Sequence, residues 1–275
     1  MPAPPYYVDV VSCKENCPVV CNHNVTSSLE GRTWDDGSKI SIEDKGWIPR
    51  GTTTRATPGN LDLMWILINP GNPQKELEHN FYSGKADAEL ADAAWAFTER
   101  VLEGKEANSL TLRTTYQDIT RVRFGDGGDH KKALDRCMVT NVVRCSTPPA
   151  WGEAFKGLKG ETAVRRQVVD TCFENHLRRE IEYWKPKTII AVGKPVGEAL
   201  GRINLEWEHS DCGIKSRRTY DKYKKKFVCL ACKQYVIDWG FIAHPAAHAH
   251  QGGASDPNRS KNLDDLRDSM RELWD

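Results

Sequence analysis

Four short apolar runs, bounded by turn residues and separated by segments of helical period, predict an α/β fold. The runs are apolar on both faces, the pattern of strands buried in a parallel sheet beneath helices. The expected architecture is three-layered, α/β/α, around a central four-stranded parallel sheet. With 275 residues, 39% hydrophobic content and nine tryptophans, the chain can bury a substantial core as one elaborated domain.

Each element follows from local pattern. Residues 1–60 are polar, turn-rich and without sustained period, and predict an irregular cysteine-bearing arm on a core domain of residues 61–275. "LDLMWILIN" is the first strand. It runs into Asn69-Pro70-Gly71-Asn72-Pro73, where two prolines and a glycine forbid helix and central strand alike. "ADAELADAAWAFTERVLE" places Leu90, Ala94, Phe97 and Val101 on one helical face. "RCMVTNVVRC", Arg136 to Cys145, is the second strand, halted by Pro148-Pro149. The longest helix spans about Glu161 to Trp184, with Val169, Phe173, Leu177 and Ile181 recurring every fourth residue before Lys185-Pro186 ends it. "TIIAVG" is the third strand, "PVGEALGRI" a short helix and "QYVIDWGFIAHP" the fourth strand. The closing helix turns Leu263, Leu266, Met270 and Leu273 inward.

Composition narrows the function. No apolar run approaches the ~20 residues of a membrane span, and "MPAPPYYVDVVSC" lacks the basic-then-apolar order of a secretory leader. A cytoplasmic protein without membrane association is expected. Net charge is +1, so no global argument for nucleic acid exists. A local one does. "KSRRTYDKYKKK" packs Arg217, Arg218, Lys224 and Lys225 among other cations, interleaves two tyrosines and holds one acid, Asp221, a composition suited to phosphate backbones.

Nine cysteines in a reducing compartment point to metal rather than disulfides. His209, Cys212, Cys229 and Cys232 form H-x2-C-x16-C-x2-C, the spacing of two ligand pairs on facing knuckles. Residues 207–233 are therefore expected to be a small zinc-ribbon-like insertion, with structural Zn2+ and the basic run on its hairpin. Cys13, Cys17, Cys21, Cys145 and Cys172 lie outside it.

In parallel sheets, ligands sit beyond the carboxyl ends of the strands. Three strand ends carry polar groups there: Asn69, Asn141 in "VTNVVRC" and His244 in "FIAHPAAHAH". Alone, each reads as a turn residue or a satisfied buried group. Together they describe a site.

In order along the chain, "INPG", "VTNVVRCSTPPA", the cysteine-bearing helix, "PKTIIAVG" and "HPAAH" resemble the uracil-DNA glycosylase superfamily, and most closely its iron–sulfur branch. The resemblance covers most of residues 61–275. One departure stands out: where that branch usually has an acid, this chain has Asn69, so the motif is similar to that of mismatch-specific uracil and thymine-DNA glycosylases. The resemblance implies that Asn69 and His244 are catalytic. It implies that Asn141 reads the edge of an extruded base, with Phe81, or Tyr82 beside it, stacking on that base. The segment after His244 is similar to a DNA-probing loop: Arg259 and Lys261 as phosphate contacts, and His248, His250 or Gln251 as the wedge.

Chemistry agrees with those roles. The base must leave as an anion while positive charge builds on the sugar, and a donor at the base carbonyl stabilises it. His244 can supply that donor. An amide has no useful basicity, so Asn69 can only orient water through its carbonyl oxygen.

The resemblance also implies a [4Fe–4S] cluster held by Cys145 and Cys172 from the core and two arm cysteines. Cys17, followed by proline, resembles the second arm ligand, which makes Cys13 the first; the Cys17/Cys21 pair is the alternative. The expectation is a monomeric, monofunctional DNA glycosylase that flips a pyrimidine and leaves an abasic site. Uracil is the family default. The asparagine motif, insertion and long arm suggest modified pyrimidines, including hypermodified phage bases, and with them a role in repair or antiviral defence. A non-catalytic DNA-binding or lesion-sensing module is the alternative. A metal-dependent hydrolase of small nucleotides lacks the needed carboxylate and histidine cluster.

Overall fold

The computed structural model describes residues 2–11, 13, 54–68, 87–102, 110–125, 129–144, 155, 159–192, 196, 218–221, 226–229, 235–238, 263–264 and 267–268. Three strands, β1 (Leu63–Leu67), β3 (Thr188–Ala191) and β6 (Tyr235–Asp238), form a small parallel sheet, with β3 paired to both others. Trp65 faces Ile190 across one pair, and Ile190 faces Ile237 across the next. Every residue of β1 and β3 is buried, as continuous apolar runs demand of a sheet covered on both faces.

Beside β1 lies β2 (Cys137–Asn141), while β4 (Arg218–Asp221) and β5 (Lys226–Cys229) extend the other side, giving the order β2-β1-β3-β6-β5-β4. β4 and β5 pair antiparallel, and β5 pairs antiparallel with β6. The segment expected as an insertion thus contributes two strands to the same sheet, which is mixed and wider than four parallel strands. A backbone that leaves β6's edge open would leave its amides without a ladder; β5 fills it.

Among the described helices are α1 (Tyr7–Val11), α2 (Asp87–Leu102), α3 (Leu110–Phe124), α4 (His130–Arg136), α5 (Glu161–Cys172) and α6 (Arg178–Trp184). A π turn, Phe173–Leu177, joins α5 to α6 without a break, so the long predicted helix is continuous. The Arg178 amide donates five residues back to the Phe173 carbonyl. Lys185, at φ 48°, ends this helix in the left-handed region ahead of Pro186, the geometry usually given to glycine at that position. Gly125 closes α3 in the usual way: its φ is 83°, and its amide donates to the Arg121 carbonyl at 2.9 Å. Leu263–Asp264 and Arg267–Asp268 are helical, where the closing helix was expected. None of the described helices is long and apolar enough to cross a membrane.

The arm is not wholly irregular, since Tyr7–Val11 is helical. Five residues are too few for a period to show in sequence. α3 and α4 were not evident either. Among its described side chains, α3 buries Thr115, Tyr116, Asp118, Ile119, Thr120 and Val122, a β-branched and polar set of weak helical signal. Thr120 Oγ1 is satisfied by donating to the Tyr116 carbonyl, one turn back, at 2.6 Å.

Two compact units divide the chain. The first comprises Met1–Thr53, Ile68–Ala107 and Asn141–Glu182; the second comprises Thr54–Leu67, Asn108–Thr140 and Tyr183–Asp275. In the second, the buried Asp62 carboxylate precedes β1 and gathers three cations. Arg136 forks onto both of its oxygens at 2.8 Å, Arg123 Nε donates at 2.8 Å and Lys187 Nζ lies 3.3 Å away. Burial alone would raise its pKa; the hydrogen bonds from Arg136 and Arg123 outweigh burial and hold the carboxyl below the usual range. One carboxylate therefore ties α3, α4 and the approach to β3 together.

Candidate functional site

The first unit contains Ile68, which follows β1, and Asn141, which closes β2. Asn141 closes β2 and is 3% exposed. Val143, two residues on, donates its amide to the Ile68 carbonyl at 2.9 Å. Ile68 directly precedes Asn69 in sequence, so the chain leading to Asn69 is bonded to the chain leaving Asn141. Asn69 itself lies outside the described residues.

Asn141 Oδ1 has no hydrogen-bond partner among the described residues. A buried amide oxygen without a partner costs about 1–3 kcal/mol, so such groups are rare and call for an explanation. A primary amide offers a carbonyl acceptor and two N–H donors, the complement of a nucleobase edge or another planar amide.

The same unit brings together the segments that carry the expected cluster cysteines. α1 docks against α2: Tyr7 meets Trp95 edge-on at 5.2 Å between centroids, and the Ala3 amide donates to Asp92 Oδ1 at 2.7 Å. Arg144, in the "NVVRC" motif and next to Cys145 in sequence, is buried against Glu180 of α6. Its Nη2 donates to Oε2 at 2.6 Å and its Nη1 to Oε1 at 3.3 Å. Tyr6 donates its hydroxyl to Glu180 Oε1 at 3.0 Å. At the surface, Arg179 pairs with Asp9 of α1 at 2.9 Å. Arm, strand exit and helix are thereby held by one carboxylate at their centre.

Cys13 reaches this assembly through His176, in the π turn, whose Nε2 lies 3.2 Å from Cys13 Sγ. His176 is 4% exposed and its Nδ1 has no partner among the described residues. Burial first, then the charges of Arg144 and Arg179, push its pKa down to about 4, leaving the imidazole neutral near pH 7. Cys172, buried at the end of α5, precedes it by four residues, one helical turn along the same row. The full row, Val168, Cys172, His176, Glu180 and Trp184, is buried beside the apolar row Val169, Phe173, Leu177 and Ile181. In an α-helix an every-fourth row rotates by about 40° per step; the wider π turn slows that rotation and helps both rows stay inward.

Among the described residues, no group of three or more His, Cys, Asp or Glu side chains is placed to hold a metal. Cys17, Cys21 and Cys145 lie outside the described residues. What the structure does offer is Cys13 and Cys172 in one unit, with Cys13 against a buried imidazole that feels the charges of Arg144 and Arg179. That chemistry fits a thiolate-bound cluster, whose negative charge needs nearby cations and hydrogen-bond donors. Cys137 differs: burial drives its thiol pKa well up, and it is an inert core residue.

In the second unit, Arg218 opens β4 and Cys229 ends β5, and the two pair directly. Over these residues the segment forms an antiparallel strand pair. Phe81, Tyr82, His209, Cys212, Arg217, Lys224, Lys225, Cys232, His244, His248, His250, Gln251, Arg259 and Lys261 lie outside the described residues. Sequence reasoning missed Tyr6, Arg144, His176 and Glu180. The available signal was the every-fourth spacing of His176 and Glu180 from Cys172. Neither a protein-family model nor a curated protein matches the chain.

Proposed function

We propose that the chain is a monofunctional DNA glycosylase that extrudes a pyrimidine and hydrolyses its N-glycosidic bond. The observation that carries this reading is Asn141: a buried amide at a strand's carboxyl end whose Oδ1 has no partner among the described residues. In this reading Asn141 reads the polar edge of the extruded base, paired by position with Asn69 through the bond from Val143 to Ile68. Asn69 orients the attacking water, His244 donates to the base carbonyl as negative charge develops there, and Phe81 or Tyr82 stacks on the ring. Lacking a carboxylate at position 69, the reaction is dissociative: the bond to the base breaks ahead of water attack. Uracil and modified pyrimidines are the proposed substrates, and DNA the partner of a monomeric, cytoplasmic enzyme.

The finer architecture belongs to the same proposal. Asp62 donates its amide to the Arg136 carbonyl before β1 and β2, and Val143 donates to Ile68 after them; this same-direction pattern supports a fourth parallel strand. Cys13, Cys17, Cys145 and Cys172 would hold a [4Fe–4S] cluster, a metal–thiolate tie between arm and core. His209, Cys212, Cys229 and Cys232 would hold Zn2+ at the base of the β4–β5 hairpin, presenting Arg217, Arg218, Lys224 and Lys225 to phosphates.

A panel of duplexes bearing uracil, thymine mismatches and modified cytosines tests the activity. Base release from at least one, abolished in His244→Ala and strongly reduced in Asn141→Ala, is expected. Tight DNA binding without release from any of them would make the chain a lesion-sensing module instead. Metal analysis of anaerobically purified protein should find about four irons and about one zinc per chain; neither metal would remove both cofactor assignments.

A further inference from the structure

We propose that His176 is a positioning residue for the iron–sulfur cluster, donating its Nε2–H to the sulfur of Cys13 and setting the cluster's reduction potential. The inference rests on the cluster reading above. Nε2 and Sγ are 3.2 Å apart, within hydrogen-bond reach for sulfur and short for two groups merely packed. A metal-bound thiolate carries no proton, so across this contact only the imidazole can donate. A neutral imidazole has a single N–H. Placing it on Nε2 leaves Nδ1 as a bare acceptor, which agrees with the absence of a partner for Nδ1 among the described residues.

The backbone supports the assignment. His176 sits in the π turn, four residues past Cys172, and π turns occur frequently at functional sites. Because the ring is 4% exposed, water does not compete strongly for its N–H. Hydrogen bonds to cluster sulfurs withdraw negative charge and favour the reduced, more negative state. Removing this bond should therefore lower the potential.

The test compares wild type, His176→Phe and His176→Gln for iron content and midpoint potential, each as the full chain. His176→Phe should keep about four irons per chain while its reduction equilibrium shifts about tenfold toward the oxidised cluster, a fall of ~59 mV. His176→Gln, which keeps an N–H donor, should recover most of the shift. A His176→Phe protein with wild-type potential overturns the inference and leaves the cluster reading intact. Wild-type protein without iron overturns both. Wild-type protein carrying 15N-histidine supplies a readout that needs no stable variant. A weak nitrogen coupling in the reduced cluster supports the donor, a strong one would make a histidine an iron ligand, and none would refute the contact.

Discussion

Replacing Glu180 by leucine removes a carboxylate that is 0% exposed from a guanidinium that is 2% exposed. Leucine roughly preserves volume, so the change is mainly electrostatic. Arg144 is left in an interior site without the bidentate acceptor that compensated its desolvation. Breaking one side of a buried ion pair costs about 3–5 kcal/mol, whereas replacing both sides with apolar residues is often neutral or stabilising. Glu180→Leu should therefore lower the folding equilibrium constant by a factor of ~100 to several thousand. The double variant Arg144→Met/Glu180→Leu should lie within about 1 kcal/mol of wild type. Tyr6 also loses its acceptor, and Tyr6→Phe alone should cost about 1 kcal/mol. Denaturant titration of the four proteins measures these values. Amide exchange over Tyr7–Val11 should accelerate in every variant that releases Tyr6. The reasoning fails if Glu180→Leu is within 1 kcal/mol of wild type, or if the double variant is as unstable as the single one.

Three further outcomes are expected. Asn141→Leu should abolish base release while leaving stability equal or higher by about 1 kcal/mol, because a buried carbonyl oxygen with no partner among the described residues is removed; loss of stability together with activity would make Asn141 structural. Asp62→Asn should destabilise by about 1–3 kcal/mol, less than a fully buried pair, because Arg136 and Lys187 are over a third exposed and can turn to solvent. With its folded-state pKa depressed, Asp62 stabilises above the unfolded value of 3.8 and loses that contribution as pH falls through the lower folded value; Asp62→Asn should flatten acid unfolding there. Lys185→Gly should stabilise by about 0.5–1 kcal/mol, relieving a left-handed lysine at φ 48°, read as a rise in the denaturation midpoint.

Much of the frame was legible because its signals are local. β1, β2, β3 and β6 fall within the four runs identified by apolar content and turn boundaries, and the helix from Glu161 to Trp184 within its every-fourth apolar row. What escaped was long-range or polar. The row carrying Cys172, His176 and Glu180 alternates polar with apolar types, so hydrophobic periodicity passes over it. Its burial depends on Tyr6 and Arg144, 174 and 36 residues from Glu180. β4 and β5 read as a separate hairpin, because nothing in their composition announces that β5 pairs with β6. α3 escaped because its described buried residues mix Thr115, Asp118 and Thr120 with apolar ones. The place of Asn141 at a strand's end was legible; that its Oδ1 has no partner among the described residues was not, since that depends on everything else folding around it.

The π turn also gives the helix a place where its length can change. An α-helix rotates about 100° per residue. The five residues Phe173–Leu177 cover about the rotation that four cover in an α-helix, so deleting one residue there would restore α geometry and leave everything beyond it facing nearly the same way. Cys172 would stay where it is, and Glu180 would still face Arg144 and Tyr6. Point substitutions test one contact at a time. A single deletion there would remove the widened turn while keeping the buried network that holds the arm, with no charge changed.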